Sequence, residues 1–149
     1  MNKIVKYGSV FVIIVVIIIL VSYNTNKESE EVRNMGGSES IMKVVINDKE
    51  YDVRYEDNET SREFMKLLPS EYEMTELNGN EKYVYLDKEL PVNYNSSKDI
   101  KEGDIMLYQS DCLVIFYKSF RTPYNYTKIG HIDNLEELSG DNIIVRFNK

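Results

Sequence analysis

Eight short runs of alternating apolar and polar residues predict a domain built mainly of β-strands. An alternation with a period of two places one side of each strand against a core. The predicted strands are 42–46, 50–55, 72–77, 82–86, 105–108, 112–117, 127–132 and 143–147. Short turn sequences such as Asn47-Asp48-Lys49 and Asn78-Gly79-Asn80 separate neighbouring strands and favour hairpins. Because eight strands with open edges would be prone to aggregation, we predict a closed or nearly closed eight-stranded barrel.

Two stretches depart from this alternation and predict short helices. The first begins at Thr60, where the sequence Thr-Ser-Arg-Glu has the form of a capping box. Phe64 and Leu68 follow one helical turn apart, and Pro69 ends the helix. The second predicted helix covers 134–138. The fold class is therefore mainly β, with two short helices on the barrel.

An unbroken apolar run from Val10 to Val21 differs in character from the rest of the chain. With its flanks it forms a segment, 7–23, of about 17 residues, the lower end of what spans a bilayer. Lys3 and Lys6 precede it and Glu28 follows it. This charge distribution orients the amino terminus toward the cytoplasm. The sequence thus predicts one amino-terminal membrane helix that anchors the protein.

A cleaved secretory signal is the alternative for the same segment, and it would leave a secreted protein. Residues 20–24, Leu-Val-Ser-Tyr-Asn, lack the small-x-small triplet that a signal peptidase recognises, which favours a retained anchor. We therefore expect a signal anchor at 1–23, a flexible polar linker at 24–41 and the barrel domain at 42–149. The barrel is expected on the outer side of the cell membrane.

Composition narrows the classes of function. The net charge of −7 argues against nucleic-acid binding, which needs a basic surface. Cys112 and His131 are the only cysteine and histidine, so we expect no metal site and no disulfide within the chain. No glycine-rich phosphate loop or Gly-x-Ser-x-Gly sequence occurs, and no cofactor is expected. Cys112 lies in an apolar run, which indicates a buried, inert thiol; a nucleophile or an intermolecular disulfide is the alternative.

Aromatic residues concentrate in segment 117–126, between two predicted strands, in a chain with 12 tyrosines. In one interpretation these side chains plug the end of the barrel. In the other they form a concave pocket, with Lys118 or Arg121 at its rim, that accepts a peptide or a small ligand. The ligand-binding residues predicted for that pocket are Tyr83, Tyr85, Phe116, Lys118, Tyr124 and Tyr126.

Two longer stretches carry a resemblance to a known family. Residues 76–86 have the sequence ELNGNEKYVYL, and residues 103–132 have the sequence GDIMLYQSDCLVIFYKSFRTPYNYTKIGHI. Together they resemble the bacterial cyclophilin-like fold family, small domains that often follow an export or anchor segment. The resemblance extends over 42–147 and implies an eight-stranded barrel capped by helices.

The resemblance implies much less about function than about fold. True cyclophilins isomerise X-Pro bonds with an arginine beside an apolar aromatic pocket, and their Phe-His-Arg stretch has no counterpart here. The corresponding region is Asn80-Glu81-Lys82-Tyr83. The leading hypothesis is therefore a non-enzymatic module that binds a peptide or small molecule. Its rivals are a divergent prolyl isomerase, with Arg121 as the candidate catalytic residue, and a structural docking domain of an envelope complex.

Overall fold

The computed structural model describes residues 41–94 and 98–149. The predicted membrane segment, 7–23, and the linker up to residue 40 lie outside the described residues. Within the two described ranges, no helix combines the length and the apolar character that crossing a membrane requires.

Eight of the strands close into a single antiparallel barrel. The elements are β1 Ile41–Ile46, β2 Lys49–Tyr55, α1 Glu59–Met65, β3 Ser70–Leu77, β4 Glu81–Tyr85, β5 Asp99–Ile100, β6 Asp104–Tyr108, β7 Cys112–Phe116, β8 Phe120–Arg121, β9 Tyr126–Ile132 and β10 Asn142–Phe147. The order around the barrel is β1-β10-β3-β4-β7-β6-β9-β2, and β5 pairs with β8 in a separate two-stranded sheet. All eight predicted strands and the closed barrel are confirmed; the two-residue strands β5 and β8 were not predicted.

The hairpin turns use residues that tolerate a left-handed backbone. Asn47 and Asp48 have φ angles of 47° and 66° between β1 and β2, and Asn78 and Gly79 have 58° and 69° between β3 and β4. Asparagine, aspartate and glycine are the residues that adopt this conformation at least cost. These turns fix the strand registers, because each one sets which residues face each other across the hairpin.

Alternation along the strands sorts the side chains into two apolar clusters. In β7, Leu113 and Ile115 point into the barrel, where they join the main core. Val114 and Phe116 point out and belong to a second cluster on the outer face of the same strands. The members of that outer cluster are Ile100, Met106, Cys112, Val114, Phe116 and Tyr126, with Tyr83, Tyr108 and Phe120 packed against them. The barrel wall from β4 to β9 is thus covered on both sides.

The first predicted helix is present, but it begins two residues earlier than the capping box suggests. Asn58 is the N-cap, and its side chain accepts a hydrogen bond of 2.8 Å from the amide of Ser61. The hydroxyl of Thr60 instead donates to the carbonyl of Pro91 at 2.6 Å. The predicted core residue Phe64 is fully buried.

The second predicted helix, 134–138, is wrong. Asn134 has a φ of 53°, which an α-helix cannot accommodate, and the chain continues without regular structure. Leu135 and Leu138 are both buried in the barrel core. Their spacing of three residues imitates a helical stripe, although each leucine is buried from an irregular segment. The described residues therefore contain one helix rather than two.

Candidate functional site

A cavity of about 320 Å³ opens on the outer face of the barrel wall. It is lined by Leu77, Asn78, Glu81, Tyr83, Tyr85, Tyr108, Cys112, Val114, Tyr124 and Tyr126. Half of these ten residues are tyrosines, and we refer to the cavity as the tyrosine pocket. Its walls come from the end of β3, from β4, β6, β7 and β9, from the turn before β4 and from the loop before β9.

Strand register brings these residues together. On β4, Glu81, Tyr83 and Tyr85 occupy alternate positions and therefore share the outer face. In the β4–β7 ladder Tyr83 pairs with Val114 and Tyr85 with Cys112. The pocket floor is consequently formed by small and medium side chains of β7, beside the tyrosines of β4.

The far wall of the pocket is built on Tyr108, at the end of β6. Tyr108 pairs with Cys112 on one side and with Tyr126 on the other. Its ring centroid lies 5.4 Å from that of Tyr126 and 6.1 Å from that of Tyr124. Tyr126 packs in turn edge-on against Phe116 at 5.4 Å. Such tilted and edge contacts hold aromatic rings in defined positions, so this wall is preorganised.

The rim and the interior of the tyrosine pocket differ in exposure. Tyr85 and Tyr124 are 64% and 60% exposed, which is unusual for large aromatic side chains. Tyr126 is only 7% exposed and belongs to the outer apolar cluster. An open rim above a buried aromatic interior is the form expected of a surface that a ligand covers.

Glu81 places a carboxyl group in this aromatic surrounding. The residue is 6% exposed, and the side-chain amide of Asn78 donates to its Oε1 at 3.3 Å. Burial raises the pKa of Glu81 and nearby Glu76 adds to this rise, whereas the Asn78 hydrogen bond opposes it. Among residues 41–94 and 98–149, no basic side chain forms an ion pair with Glu81.

Three other ionisable groups of the pocket, Tyr85, Cys112 and Tyr126, have raised pKa values and are held in their neutral forms. Burial raises the pKa of the Cys112 thiol to about 11 and that of Tyr126 to about 12. The neighbouring Cys112, followed by burial, raises the pKa of Tyr85. Cys112 is buried, as predicted for an inert thiol. Among the ten lining residues, Glu81 is the one acidic residue, and none is basic.

Four of the six predicted ligand-binding residues line the tyrosine pocket: Tyr83, Tyr85, Tyr124 and Tyr126. Phe116 has no exposed surface and supports the pocket from behind. In the alternative interpretation, the aromatic residues of segment 117–126 plug the end of the barrel. Of these residues, Tyr117 alone lies in the barrel core. Phe120 packs on the outer cluster instead.

The two predicted rim cations lie outside the pocket walls. Lys118 is 3.7 Å from a carboxylate oxygen of Glu137, and its ammonium group lies over the ring of Tyr117. The Nε of Arg121 is 3.8 Å from Asp99, at the surface of the β5–β8 sheet. Neither cation is therefore placed to hold an anionic group in the cavity.

Sequence reasoning missed Glu81 and Tyr108. The alternation of β4 contained the signal for Glu81, because it shares a strand face with Tyr83 and Tyr85. Tyr108 could not be found in this way, since its place beside Tyr124 depends on the contact between β6 and β9.

The inner face of β4 holds a closed ionic cluster. The side chain of Lys82 is 1% exposed, and its Nζ lies 2.6 Å from Oε2 of Glu76. It also donates to the carbonyl of Gly140, and the hydroxyl of Tyr117 donates to both Glu76 oxygens at 2.8–2.9 Å. Burial tends to raise the pKa of Glu76, but the donors around it outweigh burial and lower that pKa.

His131 belongs to a second charged region, on β9. Its Nδ1 lies 3.0 Å from Oδ1 of the buried Asp104, which also lies 3.2 Å from Nζ of Lys128 and accepts a hydrogen bond from the amide of Lys101. The buried Asp104 therefore has a lysine, a histidine and a backbone amide as partners. Among the described residues, no group of three or more His, Cys, Asp or Glu side chains is arranged to hold a metal ion.

Comparison with known proteins gives one match. The sequence model of the Cyclophilin-like family matches residues 44–148, more than two thirds of the chain. No curated protein and no solved structure matches the chain. The matched range includes all the residues that line the tyrosine pocket.

Proposed function

The chain belongs to the cyclophilin-like family, and on that premise we propose that its barrel is a non-enzymatic module that binds a peptide segment or a small ligand in the tyrosine pocket. The observation that carries this proposal is the convergence of five tyrosines from separate parts of the chain on one cavity. Packing a core does not require this arrangement, since the barrel has a complete core on its inner side.

The size and chemistry of the pocket suit a small group. A cavity of about 320 Å³ lies at the lower end of the range for ligand sites. It accommodates one side chain or a fragment of similar size. Tyrosine offers a rigid contact surface with little loss of conformational entropy, together with a hydroxyl group that fixes orientation.

A prolyl isomerase has less support. Catalysis of that kind, as the family resemblance describes it, needs an arginine beside the aromatic pocket. The candidate, Arg121, lies outside the pocket walls, and its side chain is 80% exposed. The pocket lining contains one acidic residue, Glu81, and no basic residue, and a carboxylate has the wrong charge for that role.

We further propose that segment 7–23 anchors the protein in the cell membrane, with the barrel outside the cytoplasm. This rests on the apolar run and its flanking charges. A flexible linker over 24–41 would span roughly 25 Å as a coil, so the barrel could reach partners near the membrane surface. Protease added to intact cells should then remove the barrel; barrel released into the medium would instead indicate signal cleavage.

The binding proposal is tested on the full-length chain in nonionic detergent. A panel of X-Pro tetrapeptides is examined for binding, by the tyrosine-ring NMR signals, and for isomerisation. We expect no isomerisation above the slow spontaneous rate. Tyr124→Ala should weaken binding by about 1–3 kcal/mol, the range of an interface hot spot. Arg121→Ala, a substitution outside the pocket, is the matched control and should leave affinity unchanged.

Two results would contradict the proposal. Isomerisation that disappears in Arg121→Ala would make the protein an extracytoplasmic folding enzyme. Binding that survives both Tyr124→Ala and Tyr126→Ala would show that the ligand occupies another surface. Co-purification of one membrane protein, without affinity for any peptide, would favour the structural docking domain.

A further inference from the structure

The carboxyl group of Glu81 is the unusual feature of the tyrosine pocket. It is almost completely buried, yet among the described residues its side chain accepts one hydrogen bond, from the neutral amide of Asn78 at 3.3 Å. A buried carboxylate is costly unless a cation or several hydrogen-bond donors compensate it. Within the part of the chain that the structure describes, no basic side chain pairs with it.

The nearest cation in the sequence is not available to Glu81. Lys82 follows it directly, but alternation along β4 turns Lys82 to the inner face of the barrel. There its Nζ is held by Glu76 and by the carbonyl of Gly140. The two rim cations predicted from the sequence, Lys118 and Arg121, lie outside the pocket. A cation that compensates the Glu81 carboxylate must therefore come from outside the described residues. Without such a cation, the carboxyl group is expected to bind a proton.

The aromatic walls favour a cation over a proton alone. The faces of tyrosine rings carry negative electrostatic potential and attract ammonium and guanidinium groups. Five tyrosines surround the entrance and interior of the cavity that contains Glu81. This combination of several aromatic faces with one carboxylate is the chemistry that selects an organic cation.

We propose that the tyrosine pocket recognises an alkylammonium group, of the size of a lysine side chain, with Glu81 as its counter-ion and the tyrosine faces around its methylene groups. This inference rests on the proposed binding function and specifies its ligand. The proposed ligand is a cation, whereas Lys118 or Arg121 at the rim would have favoured an anion. The ammonium could belong to a lysine of a peptide or to a free amine, since both present the same group.

The groups that face Glu81 make the pH dependence of such binding simple. On the outer face they are Tyr83 and Tyr85 from β4, Tyr108 from β6, Cys112 from β7, Tyr124 from the loop before β9 and Tyr126 from β9. Glu76 of β3 acts on Glu81 electrostatically from the inner-face cluster. Glu76 is engaged by Lys82 and has a lowered pKa, whereas Cys112 and Tyr126 have pKa values of about 11 and 12. Between these limits Glu81 titrates with a raised pKa. Affinity for an amine should therefore increase from pH 4.5 upward and level off once Glu81 is ionised.

The test compares three probes of nearly equal shape on the full-length chain in nonionic detergent. n-Butylammonium, 1-butanol and butyrate are titrated at pH 7.5, and the tyrosine-ring NMR signals report binding. We expect n-butylammonium to bind at least tenfold more tightly than 1-butanol, and butyrate to bind most weakly. Glu81→Gln should abolish this preference and leave the affinity for 1-butanol unchanged.

Two further variants separate a charge effect from a folding effect. Glu50→Gln makes the same substitution on β2, on the opposite side of the barrel, and should retain the preference. Tyr85→Leu removes one aromatic face at the rim and should weaken n-butylammonium binding several-fold. Because Tyr85 is largely exposed, this substitution should have little effect on folding. The tripeptide acetyl-Gly-Lys-Gly-amide identifies the source of the ammonium: tighter binding than n-butylammonium indicates a peptide lysine, and weaker binding a free amine.

Failure of this inference differs from failure of the binding function. Equal binding of 1-butanol and n-butylammonium, or a preference that persists in Glu81→Gln, would overturn the cation inference while the pocket remained a binding site. If no probe and no X-Pro peptide changes the tyrosine signals, both the inference and the proposed function are wrong.

Discussion

The two faces of strand β4 bury opposite charges in opposite ways. On the inner face, Lys82 is enclosed with Glu76 and the Gly140 carbonyl in a closed cluster. On the outer face, Glu81 is nearly as buried but accepts its side-chain hydrogen bond from the neutral Asn78 amide. These residues are adjacent in the chain, so sequence position does not explain the difference. The inner charge has its partners within the chain, whereas the outer carboxyl lies in a cavity that a ligand can enter.

The apolar residues around Lys82 and those around Glu81 also differ. The inner core is mostly aliphatic and is closed by the barrel. The outer cluster ends in tyrosines whose rings are partly or largely exposed. A buried charge with complete partners stabilises one structure, and a buried charge without them stores an unfavourable free energy that binding can release. This contrast distinguishes the structural side of β4 from the side that we assign to function.

The largest expected effect comes from removing the inner cation. Lys82→Met should lower the free energy of unfolding by about 3 kcal/mol, because it leaves the partly buried Glu76 without its ionic partner. Urea denaturation at pH 7 measures this loss. Lys43→Met is the matched control: its ammonium also pairs with carboxylates but is 47% exposed, so the loss should be much smaller than that of Lys82→Met. Equal effects of the two substitutions would show that the inner cluster contributes no more than a surface pair.

The stability changes caused by Glu76→Gln and by Glu81→Gln should depend on pH in opposite directions. The pKa of Glu76 is lowered in the folded state, so its contribution to stability is complete above pH 4.5 and is lost as the pH falls below that value. The pKa of Glu81 is raised, so its contribution is complete below pH 4.5 and is lost as the pH rises. Relative to the unmodified protein, Glu76→Gln should therefore lose stability as the pH rises from 3.5 to 7, and Glu81→Gln should gain it.

The same urea experiment, repeated at several pH values between 3.5 and 7.5, gives both differences. Glu50→Gln, at the barrel surface, serves as the control for an exposed carboxylate. If the stability differences of Glu76→Gln and Glu81→Gln change with pH in the same direction, the distinction between the two faces of β4 is contradicted.

Most of the fold could be predicted because the strands follow a strict period of two. Turns such as Asn47-Asp48 have backbone angles that few other residues adopt, so they marked strand ends well. The prediction failed where tertiary packing buried a residue from irregular backbone. Leu135 and Leu138 reach the core without a helix, and Asn58 displaced Thr60 as the cap because its side chain also donates to the carbonyl of Lys128 at 2.8 Å.

The candidate site was less predictable, because its residues come together through the closure of the barrel. The sequence identified the tyrosines at 83, 85, 124 and 126 by their aromatic character alone. Lys118 and Arg121 were predicted at the rim because they are close in sequence to these tyrosines. Long side chains near a pocket can form ion pairs elsewhere, and both residues pair with carboxylates at the surface. The role proposed for Glu81 depends on the finding that none of the described residues places a basic side chain beside it, which no sequence pattern displays.

The smallest expected effect concerns the rim of the outer face. Tyr124→Ala should change the free energy of unfolding by no more than about 0.5 kcal/mol, because the side chain is 60% exposed and its ring packs against that of Tyr108. Thermal and urea denaturation measure this change on the same sample that is used for ligand binding. A loss above about 1.5 kcal/mol, the value of a strong aromatic pair, would make Tyr124 part of the packing. A small loss of stability with a large loss of affinity would instead mean that the outer face of β4 keeps an exposed aromatic rim for a ligand, since the fold gains little from it.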